Sequence, residues 1–476
     1  MITRFLHKLF RRGTPKAHKP NQPRQFRGHD EGIHRSDVSP HALKVCETLR
    51  AAGFEAWIVG GAVRDMLLKI RPKDFDVATN ATPEDIKRQF RRAIIIGRRF
   101  RLVHVMFGRD VIEVSTFRAS QPDAEKDEHG RVLRDNVFGS MLEDAARRDF
   151  TVNALYYDPV ADTIVDYHEG MADIRSRTLR MIGDPAGRYR EDPVRMLRTV
   201  RFAAKLQFTI DPPTRAPIAE LSDLMSNVPS ARLFDETLKL LESGHAMACL
   251  RQLRDAGLHH GLLPLLDLVL DDPEAGRFVE LALSRTDERV RAGKSVSSGF
   301  LFATLLWPQV RQQWQAQMTD GMPQVPALEN AADMVLGAQS GKLAIQKRIV
   351  ADMREIWSMQ PRFDRRSGRS AWKLLEHLRF RAGYDFLLLR CDAGETDPDL
   401  GDWWTRFHEG DENDREALVA GLSSRQADGT SEGSARRRRR RRGGRGRDGE
   451  SGGADPAVVE EDVRFTRPGP DDPVTP

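Results

Sequence analysis

Two aspartates separated by one residue, Asp74 and Asp76 in the stretch KDFDVAT, are the groups in this chain best placed to do chemistry. If the stretch is a strand, alternate side chains point to opposite faces, so the two carboxylates share a face about 7 Å apart. Paired carboxylates are hard oxygen donors suited to a divalent cation such as Mg²⁺. Upstream, Gly60-Gly61 forms a turn that lets backbone N–H groups approach a phosphate, and the helix start behind it adds partial positive charge. A phosphate cradle beside a cation site is an arrangement for nucleotidyl transfer.

Three further segments offer polar groups. In DVIEVSTFR, Glu113 shares a strand face with Val111 and Ser115, opposite Ile112 and Val114. Buried and unpaired it would be costly, so it needs a cation. That cation is either the nearby Arg118 or a metal, for which Glu113 would be a third carboxylate or a base near an attacking hydroxyl. RRDFTVNALYYD carries Arg147, Arg148, Asp149 and Asn153. It reads either as a helix terminus with an ion pair or as a triphosphate and ribose site. Arginine forks match phosphate oxygens, and Asp149 would orient them or join the metal site. In RYREDPVRMLRTVRF, Asp192 and Arg195 are three apart, which predicts one helical face with Pro193 near the helix start. The pair is an ordinary ion pair or a reader of a base edge, carboxylate to exocyclic amine and guanidinium to ring nitrogen. Arg198 lies one turn farther on and completes the candidate nucleotide-binding set.

These groups must be positioned by two kinds of structure. From Trp57 to Phe90 the chain reads strand, Gly-Gly turn, short helix, strand, helix. The last helix is opened by Thr82-Pro83-Glu84-Asp85, with a threonine cap, proline at the first position and acids in the first turn. AIIIG, LVHVMFG and VIEVSTF follow as short β-rich runs. Beyond Gly183 helical periodicity dominates, through DPVRMLRTVRFAAKL, ARLFDETLKLLESG, MACLRQLRDAGL and AWKLLEHLRFRAGYDFLLLRCDAG. The expected class is α+β: a head with a mixed sheet, then an all-helical remainder, with disordered basic termini. The expected boundaries are a flexible basic arm at 1–37, the head at 38–175, a helical neck at 176–228, a helical body at 229–300, a helical C-terminal domain at 301–425 and a disordered Arg/Gly-rich tail at 426–476.

Composition agrees with an intracellular enzyme of about three domains. Three widely spaced cysteines, Cys46, Cys249 and Cys391, argue against a disulfide framework. No apolar run approaches the roughly 20 residues of a membrane span, and MITRFLHKLFRRG lacks the apolar core of a signal peptide. That segment reads as a flexible basic arm or as a basic amphipathic helix for a membrane surface or a partner. The net charge of +5 is unevenly spread. Residues 1–37 hold nine Lys/Arg against three Asp/Glu, while residues 426–476 hold eleven Arg against ten acids. Within the latter, Arg436, Arg437, Arg438, Arg439, Arg440, Arg441 and Arg442 form one unbroken run, followed by Gly-Gly-Arg445-Gly-Arg447. Seven consecutive like charges cannot pack. The run is a soluble tail or, as favoured here, a sequence-blind grip on RNA phosphates.

GGAVRD with the DFD strand, RRDFTVNAL, and EDPVRMLRTVRFAAK together resemble the class II nucleotidyltransferases of the polymerase-beta-like superfamily, over about residues 38–250. That family holds tRNA CCA-adding enzymes and bacterial poly(A) polymerases. The resemblance implies a head, neck, body and leg architecture and transfer of a nucleotide to an RNA 3′-hydroxyl with two Mg²⁺ ions. It assigns Asp74 and Asp76 to the metal pair, and Gly60, Gly61 and Arg64 to the phosphate loop. Arg148, Asp149 and Asn153 fall in the second motif, and Asp192 with Arg195 in the base-reading pair. Either Glu113 or Asp149 fits the third essential carboxylate.

The stretch IIGRRFRLVHV, the helical region ARLFDETLKLL, and GRSAWKLLEHLRFRAGYDFLLLR before an Arg-rich tail are similar to the poly(A) branch. The His-Asp phosphohydrolase cluster of some CCA-adding enzymes has no counterpart, since His29-Asp30 lies in the arm. This implies template-independent addition of AMP from ATP to the 3′ ends of mRNA, small RNAs and tRNA-like ends, in the cytoplasm, with RNA-decay proteins as possible partners. The rivals are a CCA-adding enzyme and a non-catalytic RNA-binding protein on a decayed head, the latter disfavoured by intact Asp74 and Asp76.

Overall fold

The computed structural model describes residues 22–97, 101–119, 137–258, 273–340, 343–366 and 368–421. Contacts gather the chain through Asp411 into one unit; in the second, which starts at Glu412, residues 412–421 are helical. The head is built on an eight-stranded sheet. Its strands are β1 (Arg24–Arg27), β2 (Ala56–Val59), β3 (Asp76–Thr79), β4 (Ala93–Ile96), β5 (Leu102–Phe107), β6 (Asp110–Thr116), β7 (Leu155–Asp158) and β8 (Thr163–Asp166). They lie in the order β1-β8-β7-β2-β3-β6-β5-β4. Only β3 and β6 pair in parallel; the other neighbours are antiparallel, so the sheet is mixed as expected.

Alternation decides which face does what. Ile58, Val77, Val103, Val105, Ile112 and Val114 belong to the main core, which also takes Val45, Cys46 and Leu49 of α1 (Pro40–Ala51). On the opposite face Val59, Ala78, Phe117 and Tyr156 pack with Met141 and Ala145 of α4 (Met141–Ala146) in a smaller apolar cluster. Between α1 and α4 come α2 (Gly61–Leu67) and α3 (Pro83–Gln89). The start of α3 is fixed as its sequence predicts. Thr82 Oγ1 accepts from the Asp85 N–H at 3.2 Å, and Asp85 Oδ2 accepts from the Thr82 N–H at 3.1 Å.

Downstream the chain is helical, apart from the two-residue parallel pair β9 (Thr178–Leu179) and β10 (Thr209–Ile210). α5 (Gly170–Ser176) closes the head, and α6 (Pro185–Glu191) and α7 (Val194–Leu206) follow. Short helical segments Pro212–Arg215, Pro217–Glu220 and Ser222–Asn227 lead into the helices Ser230–Leu241, Ala246–Asp255, Pro273–Arg291, Ser298–Thr319, Gln324–Ser340, Lys347–Phe363, Arg369–Leu375, Phe380–Asp392 and Pro398–Glu409. No helix of the described residues is long and apolar enough to cross a membrane.

Three expectations need correction. The expected arm at 1–37 is too long: Arg24–Arg27 pair with Thr163–Asp166, and Ile33 is 1% exposed, so the head begins earlier. Short-range charge pattern carried no sign of this long-range strand pairing. The boundary at 300/301 falls inside the helix Ser298–Thr319. The third concerns Asp192. It does not share a helix with Arg195: α6 stops at Glu191, Asp192 is extended (φ −149°, ψ 93°), and Pro193 caps α7. Proline disfavours helical backbone in the residue before it, and that breaks the helix here. The arm before residue 22 and the tail with Arg436–Arg442 lie outside the described residues.

Candidate active site

Strand register places the carboxylates. Tyr156, Val59, Asp76, Glu113 and His104 are direct cross-strand partners in succession, so they form one row across five strands. Residues directly opposite in paired strands present their side chains on the same face. Asp74 lies just before β3 rather than on it, but the alternation persists: Asp74 and Asp76 are exposed, Phe75 and Val77 buried. Glu113 is exposed as well, so it is not a carboxylate trapped among aliphatic side chains. Its basic neighbour is His104, with Nε2 at 3.6 Å from Oε2, in place of the expected Arg118.

The charges in this row repel. Crowding by protein atoms, then the charge on Glu113, raises the Asp76 carboxyl to about 6; Arg148 pulls it down and Asp74 adds to the rise. Asp76 nevertheless keeps its contact with solvent, so an ion can reach it. Among the described residues no three His, Cys, Asp or Glu side chains form a complete ligand set. Two exposed carboxylates that leave other positions to phosphate oxygens and water suit Mg²⁺, which is seldom held by an all-protein cage. The donor set therefore fits a hard divalent cation.

Gly60 follows Val59 and sits beside this row. Its backbone (φ 70°, ψ −127°) is one L side chains rarely adopt, and a Cβ there would lie 3.1 Å from Arg148 Nη1. Glycine thus permits both the turn and the approach of a guanidinium. Arg148 is fixed from behind. Its Nε donates to Tyr156 Oη at 3.1 Å, Nη2 to Asp144 Oδ2 at 3.2 Å, and Nη1 to the Asn153 carbonyl at 3.3 Å. Tyr156 Oη in turn donates to Asp144 at 2.7 Å. Asp144 and Tyr156 were not singled out from sequence, although Asp144 lies four residues before Arg148, one helical turn away.

Asp149 faces a different environment. Arg198 donates to its Oδ2 from Nε at 3.0 Å and Nη2 at 2.6 Å, while Asn153 Nδ2 and the Phe150 N–H donate to Oδ1 at 3.1 and 2.8 Å. Burial opposes ionisation, but Arg198 and these hydrogen bonds overcome it and hold the carboxyl below the usual range. Arg64, expected in the phosphate loop, is 3% exposed. It donates to Asn153 Oδ1 at 2.5 Å and to Asp65 Oδ1 at 2.6 Å, so it braces the loop from beneath. Arg64, Arg198 and Arg201 all lie over the Phe202 ring, at 5.2, 5.4 and 4.4 Å.

Asp192 and Arg195 are near in sequence but engaged separately. Arg232 donates to Asp192 Oδ2 at 2.8 Å, while Asp192 Oδ1 is buried with no protein partner. Arg195 Nη1 donates to Glu191 Oε2 at 2.7 Å and to the Arg188 carbonyl at 2.9 Å. Arg188 Nη2 also reaches the carbonyls of Arg147 and Arg148, at 2.6 and 2.7 Å, tying α6 to the second motif.

Residues 56–180 match the poly A polymerase head domain, 207–270 the probable RNA and SrmB-binding site of polymerase A, and 320–443 the polymerase A arginine-rich C-terminus. Poly(A) polymerase I of Haemophilus influenzae is 44% identical over 426 residues, covering 85% of this chain and 94% of that protein. The chain belongs to the bacterial poly(A) polymerase family. As a poly(A) polymerase it is a polynucleotide adenylyltransferase whose reaction is template-independent poly(A) addition. A CCA-adding enzyme of Streptococcus suis is 39% identical, but over 49% of this chain and 57% of its own length. In fold, the poly(A) polymerase chain resembles a solved apo tRNA-processing enzyme, with TM-score 0.52 at 19% identity over 80% of this chain and 99% of that one. The run Arg436–Arg442 falls within the matched arginine-rich C-terminus.

Proposed function

We propose that poly(A) addition takes place at the row of Asp76 and Glu113, with Asp74 beside it, and that the substrates are ATP and the 3′-hydroxyl of RNA. The observation that carries this reading is the register that sets Val59, Asp76 and Glu113 side by side, with the Gly60 turn one residue beyond Val59. A phosphate chain lying on that turn would have its α-phosphorus close to the carboxylates. The RNA hydroxyl oxygen attacks that phosphorus, the bond to the β-phosphate oxygen breaks, and pyrophosphate leaves.

Asp74 and Asp76 are the residues that would hold Mg²⁺, two ions in this reading. When bound, Mg²⁺ supplies charge neutralisation at the phosphoryl oxygens and a lowered pKa for the attacking hydroxyl. Glu113 is the third carboxylate in this assignment, because it adjoins Asp76 whereas Asp149 is consumed by Arg198 and Asn153. Arg148 contacts the triphosphate, and Asp149, Asn153, Arg64 and Arg198 hold the nucleotide-binding segment in shape. Asp192 Oδ1, an acceptor without a protein donor, reads the exocyclic amine of adenine. Arg195 joins it by leaving Glu191, a half-exposed partner. Arg436–Arg442 hold RNA phosphates without regard to sequence. Substrates of this kind, mRNA, small RNAs and tRNA-like ends with ATP, place the reaction in the cytoplasm, with RNA-decay proteins as partners. The three cysteines, all buried and free, suit that compartment.

The test is incubation of purified protein with Mg²⁺, an unstructured RNA and each nucleoside triphosphate separately, beside a tRNA lacking its 3′ end. Long tails from ATP alone on both RNAs are expected. Addition of only C, C and A, and only to the tRNA, would overturn the assignment while leaving the head chemistry in place.

A further inference from the structure

A second approach to Asp74 is lined by none of the nucleotide-binding residues. It is a groove of about 1020 Å³ lined by Gly32, His34, residues 36–41, Met66 of α2, the loop 69–75 and the β5–β6 turn with the start of β6. Asp74 stands in its wall, whereas Gly60, Arg148, Asp149 and Asp192 do not. Three exposed cations line it, Arg71, Lys73 and Arg109, and among the described residues none has a hydrogen-bond or ion-pair partner. Of the groove's other basic groups, Lys69 donates to the Gly32 carbonyl, His41 Nδ1 pairs with Asp110 at 3.1 Å, and the His34 ring stands edge-on to His29. Beside these cations in sequence, Ile70 and Val111 also line the groove and are each 47% exposed.

We infer that this groove is the seat of the RNA strand just upstream of the reacting 3′-hydroxyl, with Arg71, Lys73 and Arg109 on successive phosphates and Ile70 and Val111 against sugars or bases. Two substrates must meet at the carboxylates, and the Gly60 and Arg148 side is taken by the nucleotide. The remaining approach has unpaired cations at spaced positions, which suit a polyanion. Its volume lies at the upper limit of small-molecule pockets, as expected for a stretch of polymer. Apolar side chains alternating with cations match a single strand whose bases are exposed for contact. The inference rests on the poly(A) reading of the site.

The test is steady-state kinetics of the full-length enzyme carrying Arg71→Gln and Arg109→Gln together, with Mg²⁺ and ATP, on oligo(A) primers of two and of fifteen nucleotides. KM for the longer primer should rise about tenfold, with KM for ATP and kcat at saturating RNA within twofold of the parent. The slope of log(1/KM) against log salt should become shallower by about 1.4, the value for two phosphate contacts on a single strand. The dinucleotide, too short to span the groove, should be nearly indifferent. An unchanged KM for the longer primer, or an equal loss on both primers, would overturn the inference and assign the groove to another ligand. Failure of the parent enzyme to extend any RNA with ATP would instead overturn the functional reading. Melting of the double variant within 2 °C of the parent, expected for exposed side chains without partners, separates binding from folding.

Discussion

The open row of acids and the enclosed Asp149 are built on opposite plans. Asp74, Asp76 and Glu113 are exposed and stand beside one another, with His104 3.6 Å from Glu113; crowding by protein atoms, then the charge on Glu113, raises the Asp76 carboxyl to about 6 against the pull of Arg148. Asp149 is enclosed, doubly bonded by Arg198 and backed by Asn153, and its carboxyl is lowered. The first group holds unbalanced negative charge that a cation would neutralise. The second is already neutralised by the protein, so it can shape a binding surface but has little capacity left for a metal. Residue type alone does not separate these roles; register and counter-charge do.

The comparison breaks most visibly at Asp76. Asp76→Ala should lower AMP incorporation by more than a thousandfold, because it removes one of two candidate ligands from the reacting centre, while thermal melting stays at or above that of the parent. Activity above a few per cent would remove Asp76 from the chemistry. In the paired group the order of effects reverses. Arg198→Ala leaves Asp149 enclosed without its cation and should destabilise the fold by about 3 kcal/mol, the low end for stripping one partner from a buried ion pair. Urea unfolding measures this, and a loss below about 0.5 kcal/mol, the scale of an exposed pair, would show that the pair is solvated.

Acid sharpens the contrast. The folded Asp76 carboxyl is raised, so ionisation there disfavours the fold: the penalty is present above about 6 and is gone below the unfolded value near 4. Asp76→Asn should therefore melt higher than the parent at pH 8, and the gap should close as pH falls toward 4. Asp149 has the opposite sign. Its contribution is present above the ordinary carboxylate value and is lost as pH falls through its lowered folded value. Asp149→Asn should melt lower than the parent at pH 8 and approach it only in stronger acid. Parallel curves for the two variants would contradict the division.

Much of this was legible beforehand, for local reasons. The strand alternation of Asp74 and Asp76, the threonine cap of α3 and the glycine requirement at Gly60 depend on a few neighbouring residues, and the structure shows each. What stayed hidden depends on distant ones. The His104 neighbour of Glu113 follows from the β5–β6 register, and the support of Arg148 by Tyr156 from the packing of β7 under α4. The pairing of β1 with β8 joins segments more than a hundred residues apart. The break at Asp192 is a different case. Pro193 was in view, and its effect on the preceding backbone outweighed the helical spacing of Asp192 and Arg195.

The most direct test of the central claim compares steady-state kinetics of Glu113→Gln and Asp149→Asn with ATP as the varied substrate. Glu113→Gln keeps the shape and removes charge from the reacting row, so kcat should fall at least a hundredfold with KM for ATP within about twofold. Asp149→Asn loosens Arg198 and the segment that carries Arg148, so KM for ATP should rise about tenfold or more alongside any fall in kcat. Matching defects in the two variants, or an Asp149→Asn change confined to kcat, would contradict the account.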